Sequence, residues 1–145
     1  MTTDQKGAIA ETAIAHAAVK LGIDVYRPVV EGGRYDLVFG VGASLLRIQC
    51  KRARRRNGVV AVRCYSCRRT AVGISRRGYT SSEIDAITAF CPDNDRCYLL
   101  PARLVEGRNE LWLRLDPTRN GQKLGIRWAD DYDFTRLDWQ SISGP

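Results

Sequence analysis

The chain has one histidine, one methionine and no run approaching the roughly 20 apolar residues that a membrane-spanning helix needs. His16 falls nearly opposite the apolar stripe of the first expected helix. It reads as a surface residue rather than a ligand or general base, and a Ser-His-Asp set is excluded with it. The opening residues, Met1-Thr2-Thr3-Asp4-Gln5-Lys6-Gly7, lack the apolar centre of a signal peptide. The expected location is therefore the cytoplasm, with the cysteines as reduced thiols or metal ligands. There is no P-loop or dinucleotide fingerprint, and no internal repeat, low-complexity segment or linker.

Acid is missing where base is concentrated. Residues 37–82 contain no Asp or Glu, yet hold 11 of the 23 Lys and Arg side chains: Arg47, Lys51, Arg52, Arg54, Arg55, Arg56, Arg63, Arg68, Arg69, Arg76 and Arg77. The other 12 stand against all 16 acidic residues, so a mildly acidic body carries one strongly basic middle. That asymmetry points to a polyanionic partner, and the forked guanidinium suits phosphate. A merely solvated basic face would have acids interspersed. A membrane surface would be met by an amphipathic helix, and none accompanies the arginines. At 145 residues the chain is expected to form a single domain with a core large enough to stand without staples.

Apolar residues at Ala10, Ile14, Ala17, Ala18 and Leu21 predict a helix over 4–22, ended by Gly22. Glu11 lies at the edge of that stripe. Ile23–Arg27, Asp36–Phe39 and Leu45–Arg54 read as three strands. Asn57-Gly58 is a hairpin signal, with Val59–Arg63 returning and Arg52, Arg54, Arg55 and Arg56 at the tip. Residues 64–79 read as loop. Thr80-Ser81-Ser82-Glu83 matches a capping box for a short helix or turn over 80–86. Strands at Ile87–Phe90 and Arg96–Leu100, a helical turn at Pro101–Val105, a strand through Leu111, Leu113 and Leu115, and a turn at Asn120-Gly121 complete the reading. Tyr132, Phe134 and Trp139 anchor an acidic tail.

Two stretches carry chemistry: Arg34-Tyr35-Asp36-Leu37-Val38-Phe39 and Arg47-Ile48-Gln49-Cys50-Lys51. Gln49 and Lys51 are two apart on a strand and share one face, with Ile48 and Cys50 on the other. Hydrolysis of a phosphodiester needs an activated water, neutralised non-bridging oxygens and a stabilised leaving alkoxide, most of which Mg²⁺ can supply. Mg²⁺ takes oxygen ligands and keeps several waters. Asp36 offers a carboxylate, Gln49 an amide oxygen and Cys50 its backbone carbonyl between them. Lys51 can orient the water, and Glu11 can bind a second metal or position a metal-bound water. On spacing alone, Arg47, Gln49 and Lys51 fit the solvated face of an edge strand equally well.

Helix-borne Glu11, then Asp36, then Gln49-x-Lys51 resembles the PD-(D/E)xK nuclease superfamily, and most closely its small bacterial branch that includes group I intron-encoded homing endonucleases. The likeness runs on through Tyr79-Thr80, Glu83-Ile84-Asp85 and Tyr98-Leu99-Leu100-Pro101. It implies an α/β, restriction-endonuclease-like αβββαβ core with a mixed central sheet flanked by helices, over about residues 5–105, and a C-terminal extension over 106–145 within one nuclease-like domain. It further implies a metal-dependent DNA endonuclease using Mg²⁺ (or Mn²⁺) and acting as an oligomer. A homodimer or homotetramer would place two sites across double-stranded DNA. Glu11, Asp36, Gln49 and Lys51 would be catalytic, with Glu11, Asp36, Gln49 and the Cys50 carbonyl facing the metal. Arg34, Arg47, Arg52, Arg54, Arg55, Arg56, Arg68, Arg69, Arg76 and Arg77 would contact DNA. The superfamily usually has Asp or Glu in place of Gln49, an amide that the homing branch tolerates and that binds metal more weakly. Tyr35 stands where the superfamily often has Pro.

Other readings stay open. A Holliday-junction resolvase shares the core, and a nucleic-acid-binding module can keep the fold without catalysis. Cys64-Tyr65-Ser66-Cys67 is a Cys-x₂-Cys pair, but Cys91 and Cys97 are too widely spaced for a second zinc knuckle, so structural zinc is disfavoured and the cysteines read as small core residues. Tyr65 and Tyr79 are candidates for stacking on bases or for packing. Trp112, Trp128 and Trp139 read as core or interface. For any polyanionic nucleic acid, the logarithm of binding should fall linearly with that of salt, by about 0.9 per phosphate neutralised. A titration showing no salt dependence rules out the basic segment as the docking surface.

Overall fold

The computed structural model describes residues 1–117, 120–121 and 124–142. Helix α1 spans Thr3–Lys20. Its start is a capping box: Thr2 Oγ1 accepts from the Gln5 N–H at 3.1 Å, and Gln5 Oε1 accepts from the Thr2 N–H at 2.9 Å. Leu21 caps its end, and Gly22 follows at φ +81°, a left-handed conformation that glycine adopts at little cost. Ala10, Ile14 and Ala18 are its buried residues, two of them small enough to let the helix lie close on the sheet.

Strands β1 (Asp24–Tyr26), β2 (Leu37–Val41), β3 (Ser44–Arg52), β8 (Ala86–Cys91) and β9 (Arg96–Pro101) form the central sheet in the order β1-β2-β3-β8-β9. β3 and β8 run parallel and the other neighbours antiparallel, which makes the sheet mixed as expected. Every residue of β8 is buried, the pattern of a strand covered on both faces. The hydroxyl of its one polar residue, Thr88, donates to the Gln49 carbonyl at 3.3 Å.

Two cores lie on opposite faces of this sheet. α1, Ile48, Phe39, Leu99 and the tail pack on one, where Phe39, Phe134 and Trp139 meet with centroids 5.1–6.2 Å apart. The other lies against a second sheet, β10-β5-β4, made of β4 (Arg54–Arg56), β5 (Val59–Arg63) and β10 (Glu110–Arg114). Residues beyond 105 thus contribute to both cores. The tail also extends β9, with Leu99 N–H donating to Tyr132 O and Phe134 N–H to Cys97 O.

Two local expectations change. The strand expected over 45–54 ends at Arg52: the buried Ala53 donates its N–H to Phe90 O, the last bond of the ladder with β8. Beyond it the chain passes to the second sheet, where the Asn57-Gly58 hairpin joins β4 to β5. The expected loop over 64–79 is a two-stranded ribbon, β6 (Tyr65–Thr70) and β7 (Gly73–Gly78). Its side chains are mostly exposed on both faces, so no apolar alternation marks it. Of the short helix or turn expected over 80–86, the turn forms: Arg34 and Arg77 draw Glu83 toward the ribbon and the Asp85 N–H is taken by Arg47 O. Two short helices, α2 (Ala102–Val105) and α3 (Trp139–Ile142), complete the fold. No helix among the described residues is long and apolar enough to cross a membrane.

Ile48 is fully buried at the centre of β3. Ile48→Ala should cost about 2–5 kcal/mol, read as a lower urea midpoint with unchanged slope. A loss below about 1 kcal/mol would contradict the close packing of α1 on β3.

Candidate active site

Asp36 lies just before β2, one residue beyond the Leu37–Ile48 pair that ends its ladder with β3, and its backbone N–H donates to Ile48 O at 2.8 Å. Its Oδ2 accepts from the Cys50 N–H at 2.9 Å. The N–H and C=O of one strand residue face the same neighbour, so the Cys50 carbonyl also opens toward Asp36. Burial holds the Asp36 carboxyl above the ordinary carboxylate range. The Glu11 charge adds to this, while the Cys50 N–H and the Lys51 ammonium pull the other way.

Glu11 and Asp36 line one cleft of about 380 Å³, together with Arg27, Tyr35 and Gly7. Glu11 is ion-paired to Arg27 there. Cys50, Lys51, Arg52, Arg54 and Arg63 line a neighbouring cleft of about 450 Å³, and Thr3 and Gly7 of α1 border both. An acidic cleft thus adjoins a basic one at the N-terminal end of α1.

Away from the Cys50 side chain, Gln49 and Lys51 meet a buried aromatic ring. Gln49 Nε2 donates to the Tyr79 hydroxyl at 3.0 Å, and the Lys51 ammonium lies 5.2 Å from the Tyr79 ring centroid while donating to Tyr65 O at 2.9 Å. Gln49 Oε1 is buried with no hydrogen-bond partner. An orphaned carbonyl-type oxygen is costly to bury, and a cation is one group that would satisfy it. Among the described residues, no three His, Cys, Asp or Glu side chains gather in metal-holding geometry. The donors here are carboxylates, an amide and a backbone carbonyl, a hard-oxygen set that suits Mg²⁺ completed by water and substrate.

The sequence pattern of the PD-(D/E)XK endonuclease family matches residues 1–135. The chain belongs to this family. Its fold is also shared with a bacterial homing endonuclease, I-Ssp6803I, whose solved structure matches with a TM-score of 0.76 and 25% identity over 98% of this chain and 93% of that one. A search of curated proteins returned no significant match.

Within this PD-(D/E)XK protein the expected arginine set divides. Arg34 is turned inward: it donates to Glu83, Ser66 and the Gly78 carbonyl and stacks at 4.2 Å over Tyr79. Arg47 is likewise consumed by Asp85 and by the Ser81 and Ser82 carbonyls. Both pair with acids that follow immediately after the acid-free segment, Arg34 with Glu83 and Arg47 with Asp85. Arg55 and Arg56 form longer pairs, 3.7 and 3.6 Å, with Asp116 and Glu110. Arg77 is held by Glu83, and Arg76 lies 4.6 Å over the Tyr65 ring. Arg52, Arg54, Arg68 and Arg69 have no salt-bridge partner among the described residues.

Tyr79 is 2% exposed, so of the two readings open for it, stacking on bases or packing, the structure shows packing. Its packing beneath Gln49 and Lys51 was illegible in the sequence, as was the pairing of Arg27 with Glu11; neither residue type has a spacing rule that would single it out. Cys64 and Cys91 lie in one core and Cys97 in the other, across the sheet. Burial pushes the Cys64 thiol up to about 11 and the Cys97 thiol to about 12. Cys50 faces α1, away from Gln49 and Lys51, and burial raises it further.

Because the Glu11 charge raises the Asp36 pKa, Glu11→Gln should lower it in the metal-free protein. Carboxyl ¹³C titration by NMR reads this directly, and an unmoved Asp36 would separate Glu11 from the site.

Proposed function

We propose that this chain is a Mg²⁺-dependent endonuclease of double-stranded DNA, similar in action to the homing endonucleases, with residues 1–145 working as one domain. The observation that carries the reading is the buried, unpartnered Gln49 Oε1 on β3, beside Cys50, whose N–H holds Asp36. Asp36, Gln49 and the Cys50 carbonyl would hold the cation, and Glu11 would join once Arg27 releases it. When bound, the cation supplies charge neutralisation and a more acidic water.

The chain's own groups account for the rest. Lys51 is held by Tyr65 O and the Tyr79 ring, so its ammonium is fixed where it can orient the attacking water and offset charge developing on the phosphate. Arg52 and Arg54, on the cleft that Lys51 lines, can grip the flanking phosphates. The ribbon adds Arg68, Arg69 and Arg76, with Arg55, Arg56 and Arg77 able to exchange their exposed ion pairs for phosphate. A two-stranded ribbon has the width to enter a major groove. A homodimer or homotetramer would bring a second site to the other strand, and the free thiols suit a reducing cytoplasm.

With Mg²⁺, a DNA library presented alongside a four-way junction should be cut in the duplex pool. Asp36→Ala should abolish cleavage, and Lys51→Ala should slow it about 10²–10⁴-fold, both with DNA binding largely kept. Full activity in either purified variant removes the assignment. Cutting confined to the junction selects the resolvase reading, and retention without cutting selects a binding module.

A further inference from the structure

We propose that the two faces of the β6–β7 ribbon have different tasks on duplex DNA. The face of Arg69 and Ile74 reads base edges in the major groove, and the face of Arg68 meets phosphate alone. This rests on the DNA endonuclease reading above and names the residues that select sequence for it.

Side chains alternate along a strand, and residues paired across an antiparallel ribbon share a face. The register pairs Tyr65 with Gly78, Cys67 with Arg76 and Arg69 with Ile74 on one face. It pairs Ser66 with Arg77 and Arg68 with Ser75 on the other. Contacts at the root show where each face looks. Tyr65 and Cys67 line the cleft of Lys51, Arg52 and Arg54, and the Arg76 guanidinium lies 4.6 Å over the Tyr65 ring. The second face is occupied at its root: Arg34 donates to Ser66 Oγ at 3.0 Å, and Arg77 pairs with Glu83 at 2.7 Å. A duplex seated in the Lys51 cleft therefore runs out along the first face. Ribbon twist turns both faces together, so the division holds along its length. The outer end of the first face suits bases. Arg69 has no salt-bridge partner among the described residues, and Ile74, directly opposite it, is 71% exposed. A guanidinium fork pairs with guanine O6 and N7, and an apolar side chain packs on the thymine methyl. Phosphate offers an isoleucine nothing, so Ile74 favours base contact over backbone contact. The four arginines of the ribbon have no acidic residue among them, which fits a polyanion rather than a second copy of this basic surface. From Tyr65 to Arg69 the strand rises about 13 Å, so the positions read lie within about one helical turn of the phosphate at Lys51.

The test selects bound sequences from a randomised duplex pool with the full chain, without divalent metal. The substituted side chains are exposed, so folding is not at stake. Arg69→Ala should reduce a guanine preference at one or two positions about fivefold or more. Arg69→Lys keeps the charge but not the fork, and should lose the same preference while retaining affinity for unselected DNA. Ile74→Ala should weaken a neighbouring thymine preference. Arg68→Ala should weaken binding to every sequence alike and lower the salt slope by about 0.9, with the preferences unmoved. Preferences that follow Arg68, or that survive both Arg69→Ala and Ile74→Ala, overturn the proposal, as does retention of DNA with no preference at all. Cleavage with Mg²⁺ leaves the nuclease reading standing in each of those cases. An Ile74→Ala chain with its thymine preference intact but a smaller mass in solution gives that residue to contact between copies and overturns its assignment. A wild-type chain that binds no DNA overturns the nuclease reading and this inference with it.

Discussion

The alternation of side chains along β3 governs the molecule. With Ile48 and Cys50 committed to the core under α1, Gln49 and Lys51 have to face the second core. A one-residue slip in register would exchange these sets and bury Lys51 beneath the helix. The register is pinned on both sides, by antiparallel pairing with β2 and by parallel pairing with a fully buried β8. Asp36 is placed by the same ladder, since its backbone and carboxylate both bond to β3. Hydrophobic sorting thus decides which face of β3 each polar side chain takes.

Electrostatics then divides the basic segment into two populations. Arginines within reach of Glu83 or Asp85 are drawn into the structure: Arg34 and Arg77 by the first, Arg47 by the second. The Asp85 carboxyl sits below its ordinary range even though its partial burial pushes the other way, because the Arg47 side chain and backbone both donate to it. Those remote from acid remain on the surface of the ribbon and beside the Lys51 cleft. Charge in this chain is therefore part scaffold and part docking surface, and composition alone cannot separate the two.

Much of the fold could be read directly from residue pattern. Ala10, Ile14 and Ala18 announced α1, Gly22 its end, and Asn57-Gly58 a hairpin whose Asn57 does adopt φ +53°. The mixed sheet and the family were legible from Asp36 and Gln49-x-Lys51 with Glu11. What escaped has physical reasons. The ribbon is held by backbone pairing with water on both faces, so it leaves no apolar signature. The end of β3 at Arg52 and the burial of Tyr79 both depend on strands far away in sequence. Arg34 and Arg47 looked free because their partners lie 49 and 38 residues on.

Arg34 also ties two distant parts together. It bonds to Ser66 and Gly78, at the root of the ribbon, shares Glu83 with Arg77, and lies flat on Tyr79. The ribbon is a cantilever, and this guanidinium is its mounting. The ribbon's far end, around Val72 and Ile74, is exposed, while its root rests on the same phenol that meets Gln49 and Lys51.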